Sequence, residues 1–214
     1  MPIPKIIHQT VSDKRALPEI LRRNVDRLRD INSDWDYVLY DDADIEEFIG
    51  TTYGAEYLQT YRKIAPCYGA ARAAHRAVGM GGAYLDIKSN ASKPLSEALR
   101  SDDAYILAHW NNRPGEPFEG WGHHPEVKLA RGEFQNWHVI AQPHHPFLEA
   151  VIEHVKSNID SYTPGRFGVG KRGVVKTTGP LAYTLTIEGI LETAPHRIVD
   201  GLDFGLVYTL FGDN

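Results

Sequence analysis

Gly81-Gly82-Ala83-Tyr84-Leu85-Asp86-Ile87-Lys88 is the stretch on which the reading of the chain turns. Two consecutive glycines let the backbone take positive φ at no steric cost. Ala83, Tyr84, Leu85 and Ile87 suit a buried strand, and Asp86 interrupts them where a strand opens into a loop. In parallel α/β sheets, ligands sit just beyond the carboxyl ends of the strands. Asp86 is therefore the first candidate for chemistry, although spacing alone supports a plain turn cap equally well, since aspartate is a common turn residue. Lys88 sets a positive charge two residues on, on the same side of an extended segment. An aspartate so placed can ligate Mg or Mn, or hold ribose hydroxyls. One carboxylate makes a poor site for a hard cation, which wants several oxygens. A lysine can partly stand in for a metal against a diphosphate.

Outward from this stretch, strands alternate with helices. Residues 3–9 form an apolar strand running into the polar His8-Gln9-Thr10. Pro18 opens a helix at a favoured first-turn position, with Leu21, Val25 and Leu28 as its buried stripe and Arg22, Arg23, Arg27 and Arg29 on a solvated face. Residues 35–40 are aromatic and β-branched, hence a second strand, and Asp41-Asp42 cap an acidic helix through Phe48. Helices are expected over 55–64 and over the alanine-rich run 68–78, which ends at Gly79.

Beyond Lys88, residues 104–110 read as a strand ending on His109-Trp110, and 111–131 as a long aperiodic loop of the kind that usually carries function. Regular structure resumes over 134–142. Pro146 starts an amphipathic helix with Phe147, Val151, Val155 and Ile159 on one face. Residues 165–173, with Arg166, Lys171 and Arg172, read as a mobile glycine-rich loop, and 174–177 as a strand. Thr178-Gly179-Pro180 begins a helix whose free N–H groups and dipole suit an anion, or which is simply capped. Residues 196–199 and 205–211 look like closing strands. The pattern is α/β, with an antiparallel or irregular second half.

The chain has 214 residues, enough for one domain with a full core, expected over 1–214. With 23 basic and 28 acidic side chains the net charge is −5, which argues against a nucleic-acid binder driven by phosphate neutralisation. The single cysteine, Cys67, excludes internal disulfides and fits a reducing compartment. No apolar run approaches the roughly 20 residues of a membrane span, and residues 1–5 are unlike a signal peptide, so a cytoplasmic protein is the default expectation. The histidines, including His109, His138 and the adjacent pairs His123-His124 and His144-His145, lack metal-ligand spacing.

Taken together, several segments resemble glycosyltransferase family 32, the capsular-polysaccharide and initiating-mannosyltransferase-like enzymes with a DxD sugar-binding segment. They are Ile3-Pro4-Lys5-Ile6-Ile7-His8-Gln9-Thr10, Trp35-Asp36-Tyr37 with Tyr40-Asp41-Asp42, and Gly69-Ala70-Ala71-Arg72-Ala73. Gly81-Gly82-Ala83-Tyr84-Leu85-Asp86, Phe134-Gln135-Asn136-Trp137, Pro146-Phe147 and Thr178-Gly179-Pro180 follow in the family's order across nearly the whole chain.

The resemblance implies a GT-A type α/β fold with a central, mostly parallel sheet. It implies a nucleotide-diphosphosugar donor, a glycan or other hydroxyl acceptor, and transfer with retention. By position, His8, Gln9, Thr10, Arg72, Arg76, Tyr84 and Asp86 would bind the donor, with Asp86 and Lys88 catalytic and Asp86 the metal ligand. His109, Trp110, Asn136, Trp137, Thr178 and Gly179 would line the sugar and acceptor pocket. Two departures stand out. Lys88 takes the place of the second DxD acid, which puts an Mn or Mg cofactor in question, and Ala74 takes the place of the family's upstream aspartate. A catalytically weakened, non-catalytic nucleotide-sugar or glycan-binding homologue is the alternative expectation.

Overall fold

The computed structural model describes residues 2–63 and 79–209. The strands are β1 (Ile6–Thr10), β2 (Asp36–Tyr40), β3 (Gly82–Leu85), β4 (Asn90–Ala91), β5 (Tyr105–His109), β6 (His138–Ala141), β7 (Arg197–Asp200) and β8 (Leu206–Val207). Six of them make one sheet in the order β2-β1-β3-β6-β5-β7, and β4 pairs with β8 beside it. β1 lies parallel to both β2 and β3, and β5 parallel to β7; β6 alone runs the opposite way, between β3 and β5. This is the mostly parallel α/β sheet that the family resemblance implies.

The pleat sorts side chains to two cores, because neighbours along a strand point to opposite faces. On one face Tyr84, Tyr105, Leu107, Val139 and Ala141 pack with Phe147 and Val151 of the Pro146–Asp160 helix and Tyr183 and Ile187 of the Pro180–Ile190 helix. On the other, Ala83, Leu85, Ile106 and Ile140 pack with Leu28 of the Glu19–Ile31 helix and with Leu95 and Phe204. Both faces are covered, which is why β3 and β5 read as continuous apolar runs rather than alternating ones. A third, smaller core joins Tyr40 to Ile45, Ile49 and Tyr61 of the Asp42–Thr52 and Ala55–Arg62 helices. The first of these begins with a capping box: Asp44 N–H donates to Asp41 Oδ1 at 3.2 Å and Asp41 N–H to Asp44 Oδ2 at 2.8 Å.

The glycine turn is built as expected, with φ of +66° at Gly81 and +106° at Gly82. Residues 111–131 hold turns and no helix or strand. Two expectations are corrected. Residues 165–173 are not a loop but parts of two short helices, Pro164–Phe167 and Gly170–Thr177, and 174–177 is the end of the second helix, not a strand. The glycines serve this packing: a Cβ at Gly173 would lie 2.8 Å from the Gly168 carbonyl oxygen, so the bare Gly173 lets the second helix close against the turn. The run 68–78, with Cys67, Arg72, Ala74 and Arg76 in or beside it, lies outside the described residues. Among those described, no helix is long and apolar enough to cross a membrane.

Candidate active site

Parallel pairing of β1 with β3, with His8 opposite Tyr84, brings the carboxyl ends of both strands to the same edge of the sheet. There Asp86 is clamped by its backbone from both sides. Its N–H donates to the Trp137 carbonyl at 2.8 Å, and its carbonyl accepts from Gln9 Nε2 at 3.1 Å and from the Ser89 N–H at 2.8 Å. Gln9 is fully buried, and its Oε1 accepts from the Tyr37 hydroxyl at 2.9 Å. A chain of hydrogen bonds thus runs from β2 through β1 to the residue that ends β3.

The Asp86 carboxylate is half-buried and accepts from the Tyr84 hydroxyl through Oδ1 at 2.6 Å. Burial pushes its pKa up to about 6, although the Tyr84 hydrogen bond and the nearby Lys88 charge both pull the other way. Burial, with the Asp86 charge alongside, raises the Tyr84 phenol well above its ordinary value. Tyr84 therefore remains the donor and Asp86 the acceptor. Thr10, at the end of β1, also hydrogen-bonds Tyr84. Lys88 is exposed beyond the turn.

This geometry can be set beside known proteins. No protein-family model matches this sequence, and a comparison with curated protein sequences finds no relative. Among solved structures, the chain superposes on the PaToxG glycosyltransferase with a TM-score of 0.58 at 15% identity, covering 90% of this chain and 70% of that one. It superposes on the UDP-bound glycosyltransferase domain of the YGT toxin with a TM-score of 0.62 at 9% identity, covering 98% of this chain and 81% of that one. The fold is that of glycosyltransferase domains.

Within this fold the other sequence-predicted residues are placed as follows. His8 is buried, stacked on Tyr40, with Nδ1 3.1 Å from the Tyr40 hydroxyl and Nε2 2.9 Å from the Gly81 carbonyl. Both ring nitrogens thus serve the turn that delivers Asp86. Asn136 is half-buried just before β6. Trp137 is 4% exposed, and its Nε1 has no hydrogen-bond partner. His109 is buried against Phe134, its Nδ1 3.3 Å from the Glu133 carbonyl, and burial lowers its pKa. Trp110 Nε1 donates to Glu133 Oε1 at 3.0 Å. The Thr178 and Gly179 amides both donate to the Val174 carbonyl, at 3.0 and 2.9 Å, in the corner before the Pro180–Ile190 helix. Gln9, Thr10, Tyr84, Asp86 and Trp137 are joined directly by hydrogen bonds; the hydrogen bonds of His109 and Trp110 go to Glu133, and those of the Thr178 and Gly179 amides to Val174, not to Asp86. Arg72 and Arg76 lie outside the described residues.

The residues at Asp86 do not fit a divalent cation by themselves. They supply one carboxylate, with one oxygen taken by Tyr84 and an ammonium group nearby, where a hard cation wants six or so oxygens. Among the described residues, no group of three or more His, Cys, Asp or Glu side chains could hold a metal ion.

Three further residues support these segments. Tyr37 and Glu133 act through partners distant in sequence and leave no local signal. His138 lacks metal-ligand spacing in the sequence, yet it stands opposite Leu85 in the register, one residue from Asp86. It is 1% exposed, its Nε2 lies 3.3 Å from Gln135 Oε1, its Nδ1 has no partner, and burial pushes its pKa down to about 3.

A pH dependence follows from His138. The unfolded chain protonates this histidine near its ordinary value of 6.5, the folded chain only near 3. Between those values the unfolded state binds more protons, so stability falls as pH drops from 6.5 towards 3. His138→Asn is expected to flatten that slope, measured as urea midpoints at pH 7 and pH 4.5. Equal slopes for both proteins would show that His138 is not held neutral.

Proposed function

We propose that this chain is a glycosyltransferase of the family 32 type, moving a sugar from a nucleotide-diphosphosugar to a hydroxyl of a glycan acceptor, with retention, in glycoconjugate synthesis. The observation that carries the reading is the clamped Asp86 at the carboxyl end of β3, followed by Lys88, in a sheet shared with glycosyltransferase domains. The YGT toxin domain carries bound UDP, and a uridine diphosphosugar is accordingly the first donor to test.

The chemistry assigned to these residues is electrostatic. As the glycosidic bond to the diphosphate breaks, positive charge develops on the sugar ring and negative charge on the leaving phosphate. Ionised Asp86, held by Tyr84, accepts hydrogen bonds from donor hydroxyls and favours the positive ring. The exposed Lys88 supplies a positive charge for the departing diphosphate. Groups aimed at developing charge in a shielded site are usually the largest single contribution to rate. No step is routed through a metal.

Lys88→Ala is accordingly expected to lower kcat by about tenfold, less than the loss for a preorganised group in a shielded site because Lys88 is exposed. Steady-state hydrolysis of the donor reads this directly, and a kcat within twofold of wild type would remove Lys88 from the mechanism. The whole reading is tested by calorimetric titration with UDP, GDP and their hexose conjugates, with and without manganese, followed by NMR of the released sugar's anomeric configuration. Absence of nucleotide binding would overturn it. Lys88 in place of a second acid favours one other reading, a binding protein without turnover, for which the same titration gives binding and no released sugar.

A further inference from the structure

The geometry points to an acceptor subsite for a glycan on an aromatic platform crowned by Trp121, an inference that rests on the glycosyltransferase reading above. The platform starts at the candidate site. Trp137, whose carbonyl holds the Asp86 amide, packs its ring 5.6 Å from Tyr208, centroid to centroid. Tyr208 lies 4.9 Å from Trp110 and 6.2 Å from Trp121, and Trp121 lies 5.2 Å from Trp110 and 5.4 Å from Phe118. A continuous run of rings therefore leads from the residue that clamps Asp86 to the surface, where Trp121 is 40% exposed.

The 111–131 loop is constructed to hold that ring. The buried Glu133 carboxylate accepts from Trp110 Nε1 and lies 2.7 Å from His124 Nε2, tying the middle of the loop to the end of β5. Asn112 Nδ2 donates to the Trp121 carbonyl at 2.7 Å and to the Arg131 carbonyl at 3.1 Å. Gly122, at φ +75°, presses so close to Trp110 that a Cβ there would sit 2.7 Å from its Cδ1. A surface tryptophan braced in this way, at the end of a loop without helix or strand, is positioned rather than left over from packing.

The exposed portion fits a sugar better than a protein. Aromatic rings offer a flat apolar face to the C–H groups on one side of a pyranose, while hydroxyls at the ring edge need polar partners. Arg113, Glu116 and Glu119 belong to the same loop, where Glu116 and Glu119 each accept a loop amide, from Arg113 and Gly115, through one carboxylate oxygen. Phe118 and Tyr208 are half-buried, so the accessible apolar face amounts to little more than one ring, far below the roughly 800 Å² per partner of a stable protein interface. Trp110 and Trp137 beneath it are only 6% and 4% exposed, so a glycan would meet the face of Trp121, with the buried rings as its support.

The test uses the intact chain and its Trp121→Ala and Trp121→Phe variants, with mannotetraose, maltotetraose and cellotetraose as probes in saturation-transfer NMR. At least one probe is expected to bind wild type at millimolar concentration, with dissociation constant raised about tenfold in Trp121→Ala and restored largely by Trp121→Phe. No saturation transfer from any probe, or binding indifferent to Trp121→Ala, overturns the subsite, as does transfer to a peptide hydroxyl at a rate unaffected by Trp121→Ala. UDP titration of the same samples reports the donor site separately. UDP binding without oligosaccharide binding sinks only the platform, and oligosaccharide binding without UDP sinks only the transferase reading.

Discussion

Asp86→Asn is expected to lower sugar transfer and donor hydrolysis by about three orders of magnitude while leaving the fold more stable at pH 7.5. Asparagine keeps the shape and can still accept from the Tyr84 hydroxyl, so the clamp by Gln9 and Trp137 survives. What disappears is the negative charge of the carboxylate that Tyr84 holds. The same charge is held at a cost, since burial raises the carboxyl to about 6 from 3.8. A shift of that size corresponds to a few kcal/mol at full burial, and on the order of 1–2 kcal/mol for a half-buried group beside a lysine. Folded Asp86 binds a proton more readily than unfolded Asp86 between pH 3.8 and 6, so its effect lowers stability as pH rises through that window and is constant above it. Activity runs the other way: it should fall about tenfold per pH unit below 6, where the carboxylate is lost. Rate profiles and urea melts of both proteins check the pair of expectations. Near-normal turnover in Asp86→Asn, or a wild-type rate unchanged down to pH 5, would show that the charge has no catalytic part.

The second large effect is structural. Gly82→Ala should cost about 4 kcal/mol or more and leave little folded protein. The new Cβ would lie 2.5 Å from the Ile6 carbonyl oxygen and 3.0 Å from His8 Nε2, and φ of +106° is itself strained for any L side chain. The clash is with backbone on the neighbouring strand, so relief means parting β3 from β1. Gly115→Ala is the control. Its φ is +82° with nothing within 4 Å of the added carbon, and it should cost only about 1 kcal/mol. Comparable urea midpoints for the two variants would show that strain alone, not close approach, governs the turn.

The parts of the fold that could be read in the sequence are those whose cues are local. Gly81-Gly82, the capped Asp41 helix and the Pro146 helix each carry their own signal within a few residues, and each forms where expected. Residues 165–177 mislead because glycine and valine disfavour helix locally, while burial of Phe167 and Gly173 against the neighbouring helices outweighs that preference. The site divides in the same manner. Asp86 is visible at a strand end. Its clamp is not, because Gln9, Tyr37 and Trp137 come from three other strands or their approaches and meet only after the sheet is assembled. Likewise, His8 reads as a polar residue leading into a loop, but parallel pairing turns it inward onto Gly81 and Tyr40.

The reversed strand β6 also constrains how the protein is made. A growing chain can pair β1 with β2 and then with β3 as each emerges, and it then completes β5 well before β6 exists. Until residues 138–141 arrive, β3 and β5 face a gap one strand wide, and β5 also waits for β7 on its other edge. Such edges are templates for pairing with another nascent chain. His138–Ala141 joins the two halves of the sheet, yet the outer edge of β5 stays open to other nascent chains and to chaperones until Arg197–Asp200 covers it, so the exposed period lasts almost to the end of synthesis.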